Sequence, residues 1–199
     1  MRPGPKVPPV DLDLLVEVLD RYQVEYILVG GGAARVLGAQ RPTGDTDCLA
    51  RATFDNLERL AGAMRELKAR IRVEGLSDEE ATQLPTIIDG RMLAAMEIST
   101  WTTEAGQFDV LTDIPERTGA RLRWEDLIDD AVVLDVAGAA VRVAPLGVII
   151  ASKEWANRPK DREALPELRR LRDESDTSMP QVAQPRPPSP PSASGPTPT

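Results

Sequence analysis

The chain has no histidine among its 199 residues and a single cysteine, Cys48. An imidazole general base, a Ser-His-Asp triad and a His-ligated metal are therefore excluded, as are an intramolecular disulfide and a cysteine-based zinc site. Aromatic residues are scarce, at 4%, so the core has to be built from Leu, Val, Ala and Ile. No segment approaches the ~20 apolar residues of a membrane-spanning helix, and the amino terminus has no apolar signal region. The expectation is a cytoplasmic protein with no membrane partner, which also suits an unpaired thiol. A net charge of −8 removes bulk basicity as a route to nucleic acid, while leaving room for a local basic cleft. Carboxylates, Lys, Arg, hydroxyls and backbone are what remain to carry chemistry.

The length fits one domain able to bury a core. Residues 1–10 are Pro-rich and read as a flexible start. Apolar positions at helical spacing predict a helix over Asp11–Arg21 with Asp11 as N-cap. Tyr26–Val29 reads as a buried strand that runs into three glycines, Ala33–Leu37 as a helix, and Asp45–Ala50 as a second strand. A helix over Asn56–Ala69, a strand at Ile71–Val73 and a capping box at Ser77–Glu80 follow. Gln83–Met92 has no clear period. Two hairpins are expected, Met96–Trp101 with Gln107–Leu111, and Leu134–Val136 with Ala140–Val143. Pro145 should open a helix over Leu146–Trp155, and another should run from about Lys160 to Arg172. The fold class is α/β (α+β): a core over residues 11–144, a helical carboxy-terminal part of the same domain over 145–175, and a disordered Pro/Ser/Thr-rich tail over 176–199.

The chemistry gathers around two segments. Val29-Gly30-Gly31 places unhindered backbone N–H groups between a strand and a helix, where phosphate oxygens bind well. Downstream, Asp45 and Asp47 lie one residue apart on a strand, so both side chains share a face. Two such carboxylates repel each other unless a cation or proton sits between them, and Mg²⁺ (or Mn²⁺) takes oxygen ligands that it can share with substrate phosphates. Asp109, between Phe108 and Val110, supplies a third acid on another strand. Three acids could carry two metal ions about 3.5–4 Å apart. Lys153 follows an apolar run and should have a half-buried stem. Arg158, Lys160, Arg162, Arg169, Arg170 and Arg172 form either a basic stripe for RNA or a solvated helix face. Trp101, Trp124 and Trp155 are expected in the core or at its edges rather than as base-stacking residues.

Val29-Gly30-Gly31 followed by Asp45-Thr46-Asp47 resembles the signature of polymerase-β-like nucleotidyltransferases. Gly30-Gly31-Gly32-Ala33 with Arg41-Pro42-Thr43-Gly44-Asp45-Thr46-Asp47, and the later Lys153-to-Asp161 segment, look like the AbiEii/MenT group of nucleotidyltransferase toxins. The resemblance runs from about Glu25 to Leu171. It implies a mixed sheet with flanking helices, metal held by Asp45, Asp47 and Asp109, and nucleotide bound by Gly30, Gly31, Arg41, Thr43, Lys153, Lys160 and Asp161. It further implies transfer of a nucleoside monophosphate from an NTP to a tRNA 3′ end, and a cognate antitoxin as partner. Thr43 matches a Ser/Thr that some such toxins carry phosphorylated in an inhibited state. Thr46 stands where an apolar residue is usual, and Leu165 where an acid is expected. Transfer to a protein hydroxyl or to a small molecule such as an antibiotic is the alternative, as is a non-catalytic nucleotide-binding regulatory or antitoxin-like module.

Overall fold

The computed structural model describes residues 9–73, 75–76, 78–81 and 86–178. Asp11 accepts a hydrogen bond from the Leu14 backbone N–H at 3.0 Å. It thereby satisfies one of the unpaired donors at the start of α1 (Leu12–Arg21), which buries Leu15, Val16, Val18 and Leu19. β1 (Tyr26–Val29) passes directly into α2 (Gly30–Val36), so the glycines form the helix's first turn instead of preceding it. β2 (Asp45–Ala50) keeps its expected bounds. α3 (Phe54–Glu66), β3 (Arg70–Ile71), α4 (Asp78–Ala81) and α5 (Gly90–Ala94) follow. Ser77 of the expected capping box lies outside the described residues, as do 83–85 at the start of the stretch that showed no period.

β4 (Ile98–Thr103) and β5 (Gly106–Leu111) form the first hairpin. β6 (Ile114–Pro115) and β7 (Arg121–Leu122) make a small ribbon, and α6 (Trp124–Leu127) follows it. β8 (Val132–Val136) and β9 (Ala139–Val143) form the second hairpin. Pro145 is the N-cap of α7 (Leu146–Ala156) rather than its first helical residue. α8 runs over Pro159–Ser178, past the expected end at Arg172. The residues from 179 on lie outside the described ones.

Among the described residues the main sheet has the order β3-β4-β5-β2-β1-β9-β8. β1 is antiparallel to β2 and parallel to β9, and β2 is parallel to β5, so the sheet is mixed. Alternation along β2 and β5 divides the side chains. Cys48, Ala50, Phe108 and Val110 join α1, α3 and Trp101 in one core cluster. Leu49 belongs to a second cluster with Ile149, Ile150, Ala164, Leu165 and Leu168 of α7 and α8. Leu165 is thus a core residue, which accounts for an apolar side chain where the motif resemblance expects an acid. Among the described residues no helix is long and apolar enough to cross a membrane.

Candidate active site

The parallel register of β2 and β5 pairs Asp47 with Asp109 and Asp45 with Gln107. The period-2 rule then puts Asp45, Asp47 and Asp109 on one face. Each of the three offers a carboxylate oxygen within 4.8 Å of the others, the one such group of metal-binding side chains among the described residues. Burial pushes the Asp47 carboxyl up to about 7, and the charges of Asp45 and Asp109 push the same way. The Gly31 backbone N–H and Lys160 only partly offset them. Burial and Asp45 push Asp109 up to about 6 against Arg72, Lys160 and Arg158. The donor set is all oxygen and crowded with negative charge. It fits a hard divalent cation, which would relieve the repulsion and take the place of the shared protons.

The glycines are fixed by close approach. Gly30 has φ +64°, and a Cβ there would come 1.9 Å from Asp47 Oδ2. Any side chain would therefore be strained in its backbone and would push the carboxylate out of place. A Cβ on Gly31 would meet Thr43 Oγ1 at 2.4 Å. Thr43 Oγ1 in turn lies 3.0 Å from both the carbonyl oxygen and Oδ1 of Asp45, and donates its proton to that pair. Its hydroxyl orients Asp45; it does not cap a backbone N–H.

On the far side, Lys160 Nζ lies 3.7 Å from Asp45 Oδ2. Lys153, with its side chain 16% exposed, reaches Asp161 Oδ1 at 3.4 Å. Asp161 is completely buried and does not line the cleft. Its oxygens accept from Arg158 Nε at 2.6 Å and from the Arg158 backbone N–H at 3.2 Å. Burial pulls its pKa upward, but Arg158 and Lys153 outweigh it and hold the carboxyl below its usual range. Asp161 therefore faces Lys153 and Arg158 and not the cleft.

These groups line one cleft of about 770 Å³. Its lining includes the three acids, Gly30, Gly31, Arg41 and Thr43, and Lys153, Arg158 and Lys160. Arg41 faces the cleft but is tied to Glu163. Of the remaining cations of the stripe, Arg169 pairs with Glu154, Arg170 with Glu174 and Arg172 with Asp173, while Arg162 donates to the neutral Asn157. Trp101 and Trp124 are buried as expected, but Trp155 is 51% exposed and lines the cleft. Sequence reasoning also missed Asp113 and Arg121, a salt-bridged pair on the cleft wall. Asp113 lies in the loop just before β6 and Arg121 on the two-residue β7, neither of which carries a period by which it could be recognised.

No family model matches the chain, and no curated protein matches it in sequence. Among solved structures it is similar to the antibiotic-resistance factor ANT(2″)-Ia in solution, at 14% identity and a TM-score of 0.49, over 83% of this chain and 89% of that one. It is similar to TM1012 of Thermotoga maritima, named as a presumed nucleotidyltransferase, at 12% identity and a TM-score of 0.45, over 82% and 91%. ANT(2″)-Ia in complex with adenylyl-2″-tobramycin overlaps at 14% identity and a TM-score of 0.44, over 83% and 95%. At these identities and scores the overlap carries no argument for a shared activity, which has to be argued from the site itself.

Proposed function

We propose that the protein is a nucleotidyltransferase that binds an NTP with Mg²⁺ or Mn²⁺ and moves the nucleoside monophosphate to an acceptor hydroxyl, releasing pyrophosphate. The carrying observation is the in-register Asp47/Asp109 pair with Asp45, set against a glycine-started helix in one cleft. Asp45, Asp47 and Asp109 would hold the metal, which when bound would neutralise triphosphate charge and polarise the reacting phosphorus and the leaving pyrophosphate. The α2 start offers backbone N–H groups to phosphate oxygens. Lys160 and Lys153 stand across the cleft from it, and Asp161 holds Lys153 in place. Phosphoryl transfer passes through a loose transition state, so positioning and charge are most of what a protein must supply. The acceptor oxygen forms a bond to the α-phosphorus as the bond to the bridging oxygen breaks. Pyrophosphate leaves with that electron pair. Asp109, on the strand farther from Gly30, would take the hydroxyl proton.

The motif resemblance favours a tRNA 3′ end as acceptor and a toxin role opposed by a cognate antitoxin in the cytoplasm. On α8, Arg169, Arg170 and Arg172 are ion-paired, so recognition of the acceptor within the cleft is part of the reading. The test is incubation with each α-labelled NTP, Mg²⁺ and total tRNA. Label in a species the size of tRNA, lost on ribonuclease treatment, supports the tRNA reading. Label on protein or on an added aminoglycoside, with none on tRNA, replaces it.

A further inference from the structure

Trp155 has no part in the phosphate chemistry, yet it lies exposed in the same cleft. It stands three residues after Ser152 and one before Ala156 on the last turns of α7. Both also line the cleft, and Ser152, three residues back, shares the helix face of the indole. Its ring lies near the ribbon turn: a Cβ on Gly119 would come 3.4 Å from Trp155 Nε1. The same ribbon brings Ile114 and Pro115 to the cleft wall, with Arg121 pinned beside them by Asp113 at 2.8 Å. The cleft therefore has a polar half built for phosphate and metal, and an apolar half ending in one aromatic plane with a fixed guanidinium. An exposed indole costs hydration and is normally buried. A flat, partly polar ring laid against it would recover that cost.

We propose that Trp155, with the β6–β7 wall, is the nucleobase subsite of this cleft. A planar heterocyclic base stacks there while its phosphates lie against Gly30, Gly31 and Lys160. The inference rests on the nucleotidyl-transfer reading. The base can belong to the incoming NTP or to the terminal nucleotide of the acceptor, and the two sources give different results below.

Trp101 and Trp124 are buried, so quenching of tryptophan emission by acrylamide reports on Trp155. Wild-type protein in Mg²⁺ is titrated with tripolyphosphate, with each NTP, and with a short single-stranded oligoribonucleotide. Binding is followed in parallel by calorimetry. Tripolyphosphate should bind without shielding Trp155, whereas the ligand whose base uses the subsite should shield it. The signal should vanish in Trp155→Phe, which keeps a stacking ring and should keep most of the affinity. Trp155→Ala should raise KM roughly tenfold or more for that ligand, with kcat little changed. A KM effect on the NTP assigns the base to the incoming nucleotide, and one on the acceptor assigns it to the acceptor. If NTP and oligonucleotide both bind with Trp155 unshielded, or Trp155→Ala leaves both KM values unchanged, the subsite is overturned and the transferase reading stands. If the wild type binds no NTP in Mg²⁺, both fall together.

Discussion

Asp47 holds the most strained charge in the cleft, and its behaviour with pH follows from that. Its carboxyl titrates near 7 in the folded protein, against ~3.9 when unfolded. A raised pKa means the folded state holds the proton more tightly. The resulting stability is complete below ~pH 4 and is lost as pH climbs through 7. Asp47→Asn removes the titration. In EDTA the variant should therefore melt above wild type at pH 8, by at least ~2 °C if the relief is worth 1 kcal/mol, with the two curves converging near pH 4. Mg²⁺ should raise the wild-type melting temperature at pH 8 and leave the variant's nearly unmoved. Coincident melting curves at pH 8 in EDTA would mean that the three acids do not strain one another.

Thr43 belongs to the same scale. Its hydroxyl holds Asp45 and its Oγ1 would abut any Cβ on Gly31. Thr43→Asp puts a further anion beside the cluster and should weaken NTP binding several-fold in Mg²⁺. A phosphate on Thr43 should do so more strongly, since it carries roughly −1.5 to −2 charges. Affinity equal to wild type in an NTP titration of Thr43→Asp would reduce the residue to turn chemistry. That the three acids meet was legible in the sequence, because alternation along a strand is a local rule. What Asp161 does was not. Its partners Arg158 and Lys153 are near in sequence, but burial in a helical corner decides that it faces them and not the cleft.

At the scale of the element, the junction of β1 with α2 carries the most constraint. Gly30→Ala places a methyl group where Asp47 Oδ2 now lies and forces φ +64° on a residue with a side chain. The backbone term alone should cost ~1 kcal/mol or more, and transfer should fall at least tenfold even where the fold survives. Full turnover by a folded Gly30→Ala protein, with folding checked by circular dichroism, would show that Asp47 tolerates displacement. The α7–α8 corner has its own test. Asp161→Asn leaves Arg158 and Lys153 without their shared anion, a loss of ~1.5–3 kcal/mol for charged hydrogen bonds at a buried site. Melting temperature and kcat should both drop, with the KM for the acceptor little changed. A purely structural Asp161 would lower the melting temperature and spare kcat at temperatures where the protein is folded.

Several elements could be read from the chain and others could not. β1 and β2 keep their expected bounds because an apolar run and an alternating run are short-range signals. β6, β7 and α6 escaped notice because they are two to four residues long, and tertiary pairing, not period, defines them. α8 overran its expected end because the polar run Asp173–Ser178 has no apolar stripe to mark it as helix.

For the whole molecule, the mixed sheet order explains why acids far apart in sequence meet. β5 inserts beside β2 in parallel, and the β4–β5 hairpin supplies it from the opposite edge to β8 and β9. That pairing joins residues 45–49 to residues 107–111, strands distant in sequence, which is why the sequence could propose a third acid on a strand without fixing its register. The absence of histidine then leaves carboxylates as the main proton acceptors in the cleft.

If the proposed reading holds, these three carboxylates make the cleft a site of nucleotidyl transfer. The most direct measurement is pyrophosphate release from each NTP in Mg²⁺ with total tRNA, comparing wild type with Asp45→Asn and Asp109→Asn, all confirmed folded. Wild type should release it with at least one NTP and lose that release in EDTA, and each variant should fall by about a hundredfold or more. Release that persists undiminished in the folded variants, or a wild type silent with every NTP and acceptor offered, would contradict that reading.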